Sequence, residues 1–96
     1  MDILVTYDIN TETRAGRRRL RQAAVACKDF GQRVQYSVFE CQVTEARFEA
    51  LRERLLKIID EEEDSLRIYR LPQPREEHIE CHGLNSYTSY EDPLIF

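Results

Sequence analysis

An aspartate stands alone near the end of an apolar run. In Ile3-Leu4-Val5-Thr6-Tyr7-Asp8-Ile9, Asp8 carries the only charge, and a polar turn and an arginine-rich stretch follow it directly. A second run, Arg33-Val34-Gln35-Tyr36-Ser37-Val38-Phe39-Glu40-Cys41, brings an arginine, a serine and two aromatics into an apolar setting. A carboxylate with arginines nearby suits a divalent metal and a phosphate. Mg²⁺ takes one or two protein carboxylates, keeps several waters and accepts phosphate oxygens for the rest. One Asp per chain is a thin site, and two copies facing each other across a two-fold axis make an adequate one. The other reading of Asp8 is a cap on the turn at 10–13. Arg14, Arg17, Arg18, Arg19 and Arg21 fall within eight residues of one another. Guanidinium forks hold phosphate bidentately and can position a nucleic-acid backbone without reading its sequence. A solvated helix face is the alternative for each of them taken singly.

These residues need elements to hold them. Residues 2–9 alternate as a strand, with Ile3, Val5, Tyr7 and Ile9 on one face and Leu4, Thr6 and Asp8 on the other. The break Asn10-Thr11-Glu12-Thr13 supplies helix N-cap candidates. The first helix is predicted over 14–30, its apolar stripe made of Leu20, Ala23, Ala24, Cys27 and Phe30, with Gly31 as the stop. Residues 33–43 read as a strand apolar on both faces. Val34, Tyr36 and Val38 share one side; Gln35, Ser37, Phe39, Cys41 and Val43 share the other. Thr44 is placed to cap a second helix running to about residue 60, with Phe48, Leu51, Leu55, Ile58 and Ile59 as its stripe. The acidic run at 60–64 reads as a solvated end or loop, since acids are unfavourable at a helix C-terminus. A third strand spans 65–71. A short edge strand is expected over 78–82 with Ile79 and Cys81 inward, then a polar loop over 83–92 and the apolar tail Pro93-Leu94-Ile95-Phe96. The pattern fits a small α/β sheet with parallel crossovers or a two-layer α+β sandwich. The second requires 33–43 to break into two antiparallel pieces, and no Gly or Asn marks a turn there. The topology stays open on pattern alone.

With 96 residues the chain suits one domain, 1–96, with a modest core. Its net charge of −4 does not advertise nucleic-acid binding. The charge is uneven, however: residues 1–43 carry a net +2 and residues 44–96 a net −6. Screening limits each charge to about 8 Å at physiological salt, so a basic patch on an acidic protein can still hold phosphates. No apolar run approaches the ~20 residues of a membrane span, and no signal peptide is visible. Cys27, Cys41 and Cys81 are an odd number at wide spacing. They are expected to be buried reduced thiols of a cytoplasmic protein. His78-Ile79-Glu80-Cys81-His82 invites a zinc reading, but strand alternation turns Cys81 away from both histidines.

Several of these segments, taken in order, resemble a known family. Tyr7-Asp8-Ile9, the arginine-rich first helix, Arg33 through Cys41, and Asp64-Ser65-Leu66-Arg67-Ile68-Tyr69-Arg70-Leu71 are similar to the small CRISPR-associated Cas2 proteins of spacer acquisition. The Asp92-Pro93-Leu94-Ile95-Phe96 tail resembles that of one subgroup. The resemblance implies a ferredoxin-like α+β sandwich, two helices on one face of an antiparallel sheet. It implies an extra C-terminal strand or tail, over 84–96, docking on the sheet edge or on a partner subunit. It implies a homodimer through the helix-free sheet faces. The activity implied is Mg²⁺-dependent endonuclease cleavage of RNA or DNA, with Mn²⁺ able to substitute. The partner implied is the Cas1 integrase, for which the dimer serves as adapter while helping to hold DNA. By the same resemblance Asp8 is the metal ligand, with Tyr7, Arg33, Ser37 and Phe39 close to it. Arg17 and Arg19 match helix-1 arginines of the family, and Arg14, Arg17, Arg18, Arg19, Arg21 and Arg33 form the nucleic-acid-binding set. Two alternatives stand beside this reading: an adapter without catalysis, and a toxin-like ribonuclease of the same fold outside any CRISPR locus.

Overall fold

The computed structural model describes residues 1–84. Strand β1 spans Asp2–Asp8, helix α1 Arg14–Lys28, β2 Gly31–Gln35, β3 Val38–Gln42, α2 Glu45–Ile58 and β4 Ser65–Leu71; a single 3₁₀ turn follows at Arg75–Glu77. The sheet order is β2-β3-β1-β4, and every neighbouring pair is antiparallel. This is the two-layer α+β arrangement. The parallel-crossover alternative is excluded.

The alternation of β1 decides the layers. Ile3, Val5, Tyr7 and Ile9 are buried and meet Ala23, Ala26 and Cys27 of α1 and Phe48, Leu51 and Leu55 of α2. Phe39 and Cys41 of β3 and Val43 just after it join the same core. Leu20, Ala24, Phe30 and Ile58 pack at its margin, so the predicted helix stripes hold, with Ala26 added, except at Ile59, which lies past the last residue of α2 in extended conformation and is not part of the core. Each helix starts where a threonine could cap it. The Thr13 hydroxyl accepts from the Gly16 amide at 3.0 Å and the Thr44 hydroxyl from the Arg47 amide at 3.2 Å.

The expected single strand over 33–43 is two strands. The chain turns at Tyr36-Ser37 with neither Gly nor Asn, and the Tyr7 amide donates to the Ser37 carbonyl at 3.2 Å. Register shifts between Arg33 and Gln35, a β-bulge. Arg33 pairs with Phe39 on the helix side, whereas Gln35, expected on that side, pairs with Val38. Gly31 does not stop α1 with a left-handed turn. The helix ends at Asp29, which is right-handed, and Gly31 begins β2. Its lack of a Cβ is used otherwise: a side chain there would run into the Glu40 carbonyl and the Cys41 sulfur of β3.

Two further expectations are corrected. Residues 78–82 form no strand, so Cys81 is exposed while Cys27 and Cys41 are buried. Without ladder partners and beyond two prolines, that short stretch has nothing to hold it extended. The run at 60–64 is not wholly solvated either. It folds into a tight turn with the Asp64 amide on the Asp60 carbonyl at 2.7 Å, and the Asp64 side chain is fully buried. The tail residues 93–96 and the rest of the segment from 85 lie outside the described residues.

Candidate functional site

Asp8 closes β1 opposite Ser65 of β4. It is exposed, on the face that carries no helices, and its carboxylate makes no hydrogen bond or ion pair among the described residues. It does not cap the turn that follows. The Asn10 side chain accepts from the Glu12 amide at 2.9 Å, and Thr13 caps the helix. The strand end is nevertheless rigid, being paired with β4 on one side and tied at Tyr7 to the β2–β3 turn on the other.

Tyr7, Arg33 and Phe39 gather on the opposite side of the sheet. Tyr7 and Phe39 are buried and stack with ring centroids 6.2 Å apart. The Arg33 guanidinium lies over Phe39 at 5.1 Å and over Tyr36 at 5.5 Å from the ring centroids. Burial, and next the neighbouring Cys27, push the Tyr7 phenol above its ordinary pKa against the opposing pull of Arg33. Tyr7 is therefore a neutral packing group at physiological pH. Ser37, half-buried in the turn, offers its carbonyl to Tyr7. The sheet thus lies between Asp8 and the Tyr7–Arg33–Phe39 cluster. What couples them is the backbone bond between Tyr7 and Ser37.

The arginines of α1 divide into two kinds. Arg14, Arg18 and Arg21, spaced i, i+4 and i+7, share one exposed stripe and make no ion pair among the described residues. Arg17 donates to the Thr11 carbonyl at 3.1 Å. Arg19 is committed elsewhere. Its Nε and Nη2 reach the two Asp64 oxygens at 2.8 and 3.1 Å. The same carboxylate accepts from the backbone amides of Asn10 at 3.1 Å and Asp60 at 2.9 Å. Burial alone raises the Asp64 pKa. The Arg19 hydrogen bonds, the two amides and the Arg19 charge outweigh it and hold the carboxyl below the ordinary range. Asp64 and Arg19 fasten the α1 start and the strand end after Asp8 to the α2–β4 turn. An acidic run in the sequence gave no sign that one of its members is buried.

For a divalent cation the donor set is a single hard carboxylate. Among the described residues no group of three or more His, Cys, Asp or Glu could hold a metal. Asp8, open to solvent and unengaged, fits Mg²⁺ in the mode that uses one or two protein carboxylates with water and phosphate oxygens. It does not make a closed protein cage. The buried thiols are not candidates. Desolvation pushes Cys27 up to about 12 and Cys41 up to about 11, so neither is a thiolate near neutrality. Among the described residues no helix is long and apolar enough to cross a membrane.

The family model described as CRISPR associated protein Cas2 matches residues 1–79. The chain is 58% identical over 95 residues to the CRISPR-associated endoribonuclease Cas2 1 of Moorella thermoacetica, covering 99% of each chain. It is 48% identical over 96 residues to the CRISPR-associated endonuclease Cas2 of Halalkalibacterium halodurans, covering all of both. Among solved structures it resembles Streptococcus pyogenes Cas2 at pH 6.5, with a TM-score of 0.78 and 55% identity over 86% of this chain and 100% of that one.

Proposed function

The chain belongs to the CRISPR-associated Cas2 family, and from that premise we propose that it acts as a homodimeric spacer-acquisition protein with Mg²⁺-dependent endonuclease activity on RNA or DNA. The curated relatives it matches are named as endoribonucleases or an endonuclease. The observation that carries the reading is Asp8: an exposed, unpartnered carboxylate on a rigid strand end, on the face left open by the helices.

Each element has a task in this reading. Asp8, from both subunits, holds the cation, and Mn²⁺ substitutes for Mg²⁺. Bound there, the metal supplies charge neutralisation at the phosphate and a more acidic water. Ser37 and Arg33 set the shape of the turn beside Asp8. Arg14, Arg18 and Arg21 hold a nucleic-acid backbone by charge. As an adapter, the dimer joins the Cas1 integrase and helps to hold the DNA fragment. That role needs the surfaces and not the cleavage, and the single carboxylate per chain favours a second reading as an adapter without catalysis.

The dimer reading rests on apolar area. Leu4, Val34 and Val38 are only half-buried on the helix-free face and Tyr69 is 43% exposed there. The segment after β4 screens part of that face. Arg75 pairs with Glu40 at 3.0 Å, and residues 80–84 border a cleft with Leu4, Gln32, Val34 and Val38. A partner subunit buries what this segment leaves. Light scattering of the full chain at micromolar concentration is expected to give twice the protomer mass. A protomer mass would reject the dimer and the two-carboxylate site with it. The reaction is tested with labelled single-stranded RNA, single-stranded DNA and duplex DNA, in Mg²⁺ and then in EDTA. Metal-dependent internal cleavage of any of them supports the nuclease, and no cleavage of any across a range of pH leaves the adapter alone.

The α1 stripe makes a separate expectation. Binding to duplex DNA weakens with salt by a slope of about −0.9 per neutralised phosphate. Replacing Arg14, Arg18 and Arg21 together with Ala is expected to flatten that slope by roughly 2 to 3. An unchanged slope, measured by fluorescence anisotropy over a salt series, would show the stripe to be a solvated face.

A further inference from the structure

We propose that Arg67 holds the substrate phosphate beside Asp8, and that Tyr69 keeps its guanidinium in place for that task. The inference rests on the nucleic-acid reading above and names a substrate-binding residue for it.

Strand register places Arg67. Along β1 and β4 the pairs are Asp8 with Ser65, Thr6 with Arg67 and Leu4 with Tyr69. The residues between them turn to the helices: Val5 and Tyr7 lie in the core, and Leu66 and Ile68 pack against it. Ser65, Arg67 and Tyr69 therefore share the helix-free face with Asp8. Arg67 is the diagonal neighbour of Asp8 on that face. Such neighbours lie about 7 to 8 Å apart, within reach of a long side chain. Val38 pairs with Thr6 from the other side. Among Thr6, Val38, Ser65 and Arg67, the strand residues around Asp8 on its own face, only Arg67 is charged. Arg33 lies across the sheet, over Phe39.

Arg67 and Asp8 carry opposite charges at neighbouring positions, yet they do not pair. Both are exposed, and neither makes an ion pair among the described residues. Arg67 Nη1 donates instead to the Tyr69 hydroxyl at 3.0 Å. Tyr69 lies on the side of Arg67 away from Asp8, since β4 runs from Ser65 opposite Asp8 to Tyr69 opposite Leu4. The hydroxyl thus draws the guanidinium off the carboxylate. A neutral acceptor takes one N–H and leaves the rest of the fork and the whole positive charge available. A direct pair would cancel the negative charge that a cation at Asp8 needs. Held apart, the two groups flank a space with a carboxylate on one side and a guanidinium on the other. A phosphodiester suits that space, because the fork binds its oxygens bidentately and neutralises its charge. This end of the face is also open. The cleft bordered by residues 80–84 takes in Leu4, Val34 and Val38, and none of Asp8, Ser65 and Arg67.

The test separates binding from cleavage in the full-length protein. Arg67→Ala and Arg67→Lys are compared with Arg52→Ala, an equal change of charge at an exposed position of α2 in the other layer. Binding of labelled single-stranded RNA, single-stranded DNA and duplex DNA is followed by fluorescence anisotropy in EDTA over a salt series. Arg67→Ala is expected to weaken binding by about 10-fold or more and to flatten the salt slope by ~0.7 to 0.9, the share of one phosphate. Arg67→Lys is expected to keep the slope, because it keeps the charge. In Mg²⁺, Arg67→Lys is expected to lower kcat by about 10-fold or more with KM little changed, because an ammonium lacks the fork. Arg52→Ala is expected to match the wild type throughout. Unchanged affinity and slope in Arg67→Ala would overturn the proposal, as would an equal loss in Arg52→Ala or absence of binding by the wild type. An Arg67→Ala protein of protomer mass by light scattering would also overturn it, and would assign the arginine to the subunit contact. A wild type that cleaves nothing, while Arg67→Ala loses affinity and slope in EDTA, would keep Arg67 as the phosphate contact and remove the nuclease reading.

Discussion

Asp8→Asn is expected to reduce metal-dependent cleavage by on the order of 10²-fold or more, with fold and dimer mass unchanged. The substitution keeps the size of the side chain and removes the charge that would hold the cation. Asp8 is exposed and makes no hydrogen bond or ion pair among the described residues, so its replacement breaks nothing in the fold. The strand end keeps its pairing with β4, because that pairing is made by backbone. A heterodimer with one altered subunit is expected to be impaired already, since a single carboxylate must then hold the ion. EDTA is expected to reproduce the defect, and added Mg²⁺ or Mn²⁺ to restore only the wild type. Thermal melts in EDTA give the control, because the two proteins should unfold together without metal. Wild-type cleavage rates in a carefully purified Asp8→Asn sample would remove Asp8 from the reaction.

The second large effect is on stability, at a residue of no catalytic role. Asp64→Asn is expected to destabilise the fold by about 3 kcal/mol. Each Asp64 oxygen accepts two hydrogen bonds: Oδ1 from the Asn10 amide and Arg19 Nη2, Oδ2 from the Asp60 amide and Arg19 Nε. An asparagine has one carbonyl oxygen and one amino group. Either orientation sets the amino group against two donors. The side chain is fully buried, so water cannot relieve the conflict. For a domain this size the loss corresponds to a melting point roughly 12 to 24 °C lower. The pH dependence carries a sign. The folded-state pKa of Asp64 is depressed, so its contribution is fully present above the unfolded carboxylate range. It is lost as pH falls through the folded value. The gap between wild type and Asp64→Asn in urea melts should therefore be largest near neutrality and shrink below about pH 4. A gap that does not change with pH would show that the charge is not what matters.

How much of this was legible beforehand depended on range along the chain. The sequence alone determined the buried face of β1, because Ile3, Val5, Tyr7 and Ile9 alternate and a strand has a period of two. It determined both helix starts, because Thr13 and Thr44 bond to amides three residues away. It singled out Asp8 as the one charge among apolar neighbours, and the ordered segments pointed to the Cas2 family that the comparisons show. Tertiary structure decided the rest. The turn at Tyr36-Ser37 has neither Gly nor Asn to mark it, and its Ser37 carbonyl is held by the Tyr7 amide of β1, 30 positions earlier in the chain. The bulge at Arg33–Gln35 breaks the alternation by which faces are read, sending Gln35 to the side opposite Arg33. The burial of Asp64 required a guanidinium 45 positions away, which only the docking of α1 against the α2–β4 turn supplies. Periodicity and capping are local free energies and are written locally. A bulge, an unmarked turn and a buried ion pair gain their stability from partners distant in sequence, and no window along the chain contains both halves of such a contact.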